Sequence, residues 1–263
     1  MRVFIELAYD GTNYHGWQRQ PEAITVQQAI EDALEKLCGE KCPILGCGRT
    51  DSGVHASYFV AHADLPASSS ERFDSLDQLA FKLNGVLEGD IAIFSIIEVD
   101  EKAHARFDAR ERSYTYLIHT EKDPFLEGKS ARVYGDLDVE EMQKAASKLI
   151  FKGDFAAFCK TGSDVKTTIC DVRKCEVSRV THSWRKGSEG ITIVIEADRF
   201  LRNMVRAVVG TLTQVGKGKM TQDEFQSVID SCDRSQAGKS APACGLYLAR
   251  VDYPSEVFSP KAL

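Results

Sequence analysis

The residues from Gly48 to Ala56 run Gly-Arg-Thr-Asp-Ser-Gly-Val-His-Ala and set one carboxylate, Asp51, on a short segment bracketed by two glycines. The segment follows an apolar run, Pro43 to Cys47, and so lies where a strand would end. Glycine lets a backbone turn sharply or approach a ligand with no Cβ in the way. Arg49, two residues before the carboxylate, adds a planar cation suited to a phosphate or to stacking on a base. Together they fit a site built for chemistry. A plainer alternative is an Asp that caps a turn beside a solvated Arg, and the spacing alone leaves both open.

Further candidates lie downstream. In Arg112-Ser113-Tyr114-Thr115-Tyr116 the two tyrosines alternate and so share one face of a strand. Arg199, Arg202 and Arg206 recur at helical spacing, which also suits a solvated helix face. His15 and His55 each fit a structural hydrogen bonder better than an acid or base. Two stretches mimic phosphate-binding loops and fail. Gly210 to Lys217 has five residues between its glycines and no Ser or Thr after the lysine, and Gly238-Lys239-Ser240 has Asp233 where the first glycine belongs. The eight cysteines include no C-x-x-C pair, so they read as small, reduced, mostly buried residues with no metal to hold.

The chain has 263 residues, 43% of them hydrophobic and 27% charged, which is ordinary for a globular protein. No segment approaches the roughly 18 apolar residues of a membrane span. Met1 to Glu6 reads as a strand that begins at once, with no secretory signal, so a cytoplasmic protein is expected. The net charge of −6 has the wrong sign for a simple nucleic-acid binder. Positive charge is uneven, however. Arg106, Arg110 and Arg112 cluster, as do Arg199, Arg202 and Arg206, then Lys217 and Lys219. A local field of this kind can serve phosphate contacts on an acidic body.

Elements that must position these groups announce themselves. Thr25-x-x-Gln28, Ser75-x-x-Gln78 and Thr221-x-x-Glu224 have capping-box spacing, and Asp138 opens another helix. A further helix is expected over Phe200 to Val215. Strands are expected over Val3–Tyr9, Ala56–His62, Ile91–Val99, Tyr114–His119, Cys175–Val180, Ile191–Ala197 and Leu246–Tyr253. Residues 1–108 then read β-α-β-β-α-β if Ile44 to Cys47 counts as a strand. Residues 109–263 read the same, with an extra helix near 222–231. The fold class is α+β, in two ferredoxin-like halves, 1–108 with the Asp51 loop and 109–263.

The stretch from Gly48 to Ala56 resembles the catalytic motif of the tRNA pseudouridine synthases of the TruA family. Four more segments resemble that family's signatures in order: Tyr9 to Gln20, His104 to Phe107 with Arg112 to Tyr116, Phe200 to Arg206, and Gly245 to Leu248. They cover nearly the whole chain. The resemblance implies a pseudouridine synthase fold, with two ferredoxin-like (RRM-like) halves sharing a long, mainly antiparallel sheet with helices packed on it. It implies isomerisation of uridine to pseudouridine at positions 38–40 in the anticodon arm of tRNA, by a homodimer without cofactor or metal. Asp51 would be the nucleophile, attacking the base or the sugar, or would deprotonate the sugar. Arg206 would pair with it, Tyr114 would stack on the target base and relay a proton, and Leu246 would pack on that base. Arg49 would help extrude the target nucleotide. One departure is that Ser57-Tyr58-Phe59-Val60 stands where the family usually has x-Gly-Gln-Val. Two rival classes remain: an RNA-binding protein that uses RRM-like halves without catalysis, and a nucleosidase, which would need a second carboxylate across the scissile bond.

Overall fold

A computed structural model describes residues 1–163, 165–182 and 187–258. The chain packs as two compact units. The first holds Met1–Glu111 and the chain from Leu248 on, and the second holds Arg112–Tyr247. The architecture is mixed α+β, and the long strands pair antiparallel.

In the first unit the order is β1 (Arg2–Tyr9), α1 (Val26–Cys38), β2 (Ile44–Gly46), β3 (His55–Asp64), α2 (Ser69–Arg72), α3 (Leu76–Val86) and β4 (Ile91–Glu98). β1 is central, between β4 and β3, and β2 adds to β3. Val3, Ile5 and Leu7 alternate along β1 and are fully buried, while Phe4 on the other face is buried too, against Tyr253 and Phe258. The helices bury Val26, Ile30, Ala33 and Leu34 from α1 and Leu79, Ala80 and Leu83 from α3. Thr25 and Ser75 accept from Gln28 N and Gln78 N, so both caps form at the first of their two bonds. Gln78 turns its own carbonyl to Asp74 N instead of completing a box.

The second unit continues with β5 (Glu111–His119), β6 (Ala131–Arg132), α4 (Val139–Ser147), β7 (Lys152–Asp154), β8 (Ile169–Thr181), β9 (Glu189–Ala197), α5 (Met204–Gly216) and α6 (Gln222–Ser231). β9 lies between β5 and β8, β7 extends β8, and β6 runs parallel to β5. α6 carries a full capping box, Glu224 N to Thr221 Oγ1 at 3.2 Å and Thr221 N to Glu224 Oε2 at 2.7 Å. The final strand, β10 (Leu246–Asp252), begins in this unit and from Leu248 belongs to the first, where it lies beside β3. The sequence pattern divides the chain once, near 108; this second crossing has no counterpart in it.

One helix starts later than expected. The apolar spacing of Phe200 to Val215 predicts a continuous helix, but α5 begins at Met204 because Asn203 adopts the left-handed conformation, with φ of 64°. A right-handed helix cannot pass through such a residue, and Asn tolerates it better than most. Asn203 is held there by its side-chain nitrogen, which donates to Ser240 Oγ at 2.6 Å. Arg199 and Arg202 therefore do not share a helix face with Arg206.

The two aromatics that depart from the family pattern go to opposite sides of β3. Phe59 is fully buried, stacked on Trp17 with centroids 4.0 Å apart, and close to Tyr9. Tyr58 is half-buried, and its hydroxyl donates to Glu6 Oε1 at 2.5 Å. Removing the Phe59 ring leaves a cavity against Trp17. We expect Phe59→Ala to cost about 3–5 kcal/mol, measured as a lowered urea midpoint. A loss under about 1 kcal/mol would show that Trp17 and Tyr9 collapse into the space.

Candidate active site

The loop after β2 carries Asp51, half-buried, with Arg49 exposed beside it. A loop this short has few partners of its own and needs them from elsewhere. They come from the last residue of β1 and the segment after it. Tyr9 Oη and Thr50 Oγ1 are 2.8 Å apart, and Trp17 N donates to Thr50 O at 3.2 Å. Gly53 N and Ser52 Oγ both donate to Tyr14 O, at 3.2 and 3.3 Å. Val54 N closes the loop onto Asp51 O at 3.1 Å.

Two glycines of that segment make the approach possible. A Cβ on Gly16, whose φ is +88°, would lie 2.4 Å from Thr50 O, and one on Gly11 would lie 2.0 Å from Val54 O. Gly48, inside the motif itself, would meet nothing within 4 Å. His55 is 1% exposed, with Nδ1 3.0 Å from Gly11 N and 2.9 Å from Asp10 Oδ1. It ties the two segments together, the structural part expected of it.

The second unit holds the remaining candidates. Tyr114, half-buried on β5, meets Phe200 edge-on with centroids 5.0 Å apart. Tyr116, two residues on, is fully buried, and its hydroxyl donates to Pro242 O at 2.7 Å. Burial pushes its phenol well above the ordinary tyrosine range, and Arg206 opposes that shift. Arg206 is half-buried in the first turn of α5, with Nε donating to Ala241 O at 2.7 Å, while Ala241 N returns to Arg206 O at 2.8 Å. Leu246 is 6% exposed at the head of β10. The structure thus brings Arg206 and Tyr116 onto the neighbouring carbonyls of Ala241 and Pro242.

Sequence reasoning missed that segment, because backbone carbonyls leave no residue-type signal. The signal available was Gly210, placed mid-helix at a cost near 1 kcal/mol relative to Ala. A Cβ there would sit 1.8 Å from Lys239 O, and Gly238 N donates to Thr211 Oγ1 at 3.0 Å. Gly210 and Gly238, one from each phosphate-loop lookalike, therefore serve helix-to-loop packing. Among the described residues no group of three or more His, Cys, Asp or Glu could hold a metal ion, and no helix is long and apolar enough to cross a membrane.

Comparison with known proteins gives a consistent picture. The family described as tRNA pseudouridine synthase matches residues 7–108 and 145–254. A protein named tRNA pseudouridine synthase A from Porphyromonas gingivalis is 46% identical over 98% of this chain and 99% of its own. One of the same name from Bacteroides thetaiotaomicron is 46% identical over 98% of this chain and 93% of its own. Another, from Thermoanaerobacter sp., is 40% identical over 95% and 99%.

The close contact at Gly16 yields a test. Gly16→Ala adds a Cβ in a left-handed position and drives it into the carbonyl that precedes Asp51. We expect a loss of at least about 2 kcal/mol, combining strain and collision, together with a lower rate on substrate. Gly48→Ala, facing open space, is expected to keep its urea midpoint. Equal midpoints for the two variants would show that the segment after β1 does not fix the loop.

Proposed function

This chain belongs to the tRNA pseudouridine synthase family, and we propose that it isomerises uridine to pseudouridine at positions 38–40 in the anticodon arm of tRNA, with Asp51 as nucleophile. The observation that carries the proposal is the built Asp51 loop, with a carboxylate held by backbone contacts on a segment that matches the family's motif. Isomerisation breaks the glycosidic bond, turns the base and rejoins it through carbon. A carboxylate can serve by attacking the base or the sugar, or by taking a proton from the sugar. No electrons are gained or lost overall and no water is added.

The other roles follow from motif position. Arg206 pairs with the Asp51 carboxylate, and Tyr114 stacks on the target base and moves the proton at its C5. Leu246 packs on the base, and Arg49 takes the place or the phosphate of the extruded nucleotide, an extrusion that costs a few kcal/mol. Each unit is read as a ferredoxin-like half, and the working form as a homodimer in the cytoplasm. An acidic chain that binds tRNA must do so through local cations, so affinity depends steeply on salt.

The decisive measurement is incubation with an unmodified tRNA transcript and mapping of pseudouridine at nucleotide resolution. Asp51→Asn keeps shape and loses nucleophilicity, so we expect tRNA binding without turnover. Appreciable product from pure Asp51→Asn protein would remove Asp51 from the role.

The two tyrosines separate chemistry from packing. Tyr114→Phe keeps the ring and is expected to slow single turnover by a factor on the order of 10² or more with binding nearly unchanged. Tyr116→Phe orphans Pro242 O, and we expect about 1–3 kcal/mol of stability to go while the rate stays near wild type. If Tyr116→Phe is the slow variant, the assignment moves to Tyr116.

A further inference from the structure

Outside these residues, the turn from His104 to Asp108 in the first unit is pinned at almost every backbone position. Ala105, fully buried, donates its N–H to His62 Nδ1 at 3.1 Å and accepts at its carbonyl from Tyr253 Oη at 2.6 Å. His104 Nδ1 accepts from two successive amides, Arg106 N at 3.1 Å and Phe107 N at 3.3 Å. His104 N in turn donates to Asp108 Oδ2 at 2.7 Å, and Asp108 N to His104 O at 3.0 Å. Burial and the neighbouring His104 and Arg2 push His62 down to about 4, so it stays neutral and keeps the lone pair that Ala105 needs.

All this support holds two side chains outward. Phe107 is 73% exposed, and the exposed Arg106 places its guanidinium 5.7 Å from the Phe107 ring centre. An apolar ring of this size gains by burial, yet the turn is fixed so that it stays in water. The ring packs on the His104 imidazole, centroids 4.2 Å apart, with the Arg106 guanidinium over it. Its exposed remainder suits an unpaired nucleotide, because any base has a π-face to stack and its phosphate can meet the guanidinium. A protein interface can also use an aromatic with an Arg, and the test below separates the two.

We infer that Phe107, with Arg106, is a stacking platform for an unpaired base of the tRNA, distinct from the residues assigned to the reaction. The inference rests on the tRNA reading above. Arg106 contacts the phosphate of the stacked nucleotide. The platform contributes affinity and leaves the chemical step alone.

The test measures affinity of wild type, Phe107→Ala, Phe107→Trp and Arg106→Gln for an unmodified tRNA transcript across a salt series, with single-turnover rates at saturating enzyme. Phe107→Ala is expected to bind about tenfold or more weakly, with an unchanged salt slope, an unchanged saturating rate and an unchanged thermal midpoint. Phe107→Trp is expected to restore binding. Arg106→Gln is expected to flatten the salt slope by about one unit. Wild-type affinity in Phe107→Ala overturns the proposal. So does a weaker Phe107→Ala that also changes mass in sedimentation, which would assign the ring to a second copy of the chain. If wild type binds the transcript without converting any uridine, the reaction falls, and the Phe107 variants still decide the platform.

Discussion

The position of Asp51 depends on two stretches of backbone lying closer than any side chain allows. Gly11 and Gly16 face the carbonyls of Val54 and Thr50 at distances where a Cβ would overlap them. Three hydrogen bonds, from Trp17, Gly53 and Ser52, then use the backbone groups that this approach exposes. The proposed nucleophile must be held to within roughly 0.5 Å, through packing and hydrogen bonds of its neighbours. Here the carboxylate is only half-buried, and its neighbours on either side are fixed instead. Thr50, Val54 and His55 are buried while Asp51 is not. The glycines that matter most for the motif lie some forty residues before it.

Much of the fold was legible because local signals and tertiary packing agree. Thr25, Ser75, Asp138 and Thr221 each accept from the amide three residues on, as their spacing predicts. The start of α5 was not legible, because Phe200 and Leu201 fit the apolar period of Met204 and Val208 while Asn203 breaks the helix by backbone conformation alone. β6 and β7 are too short to carry a period. The passage of β10 from one unit to the other is long-range topology, which no local window holds.

The candidate site divides in the same way. Asp51 and Arg49 are candidates on residue type and on the order of the motifs, and the structure adds the loop that carries them. The anchor of Arg206 could not be picked out, since it is the carbonyl of Ala241. The split between Tyr114 and Tyr116 was only partly visible. Strand periodicity puts both on one face, and burial then distinguishes them, with Tyr116 committed to Pro242 and Tyr114 left half-exposed against Phe200. A group that packs can be buried and satisfied, whereas the base-stacking role proposed for Tyr114 needs an open face.

The Tyr58-Phe59 departure follows that rule within two residues. Neighbours on a strand point to opposite faces, so the two rings answer to different constraints. Phe59 fills the space beside Trp17 and belongs to packing. Tyr58 spends its hydroxyl on Glu6, whose other oxygen accepts from Ser95 at 2.6 Å. Burial and that bond both raise the Tyr58 phenol above its ordinary range. Its hydroxyl is thus committed within the sheet, and the half-exposed ring is the part of Tyr58 left at the surface.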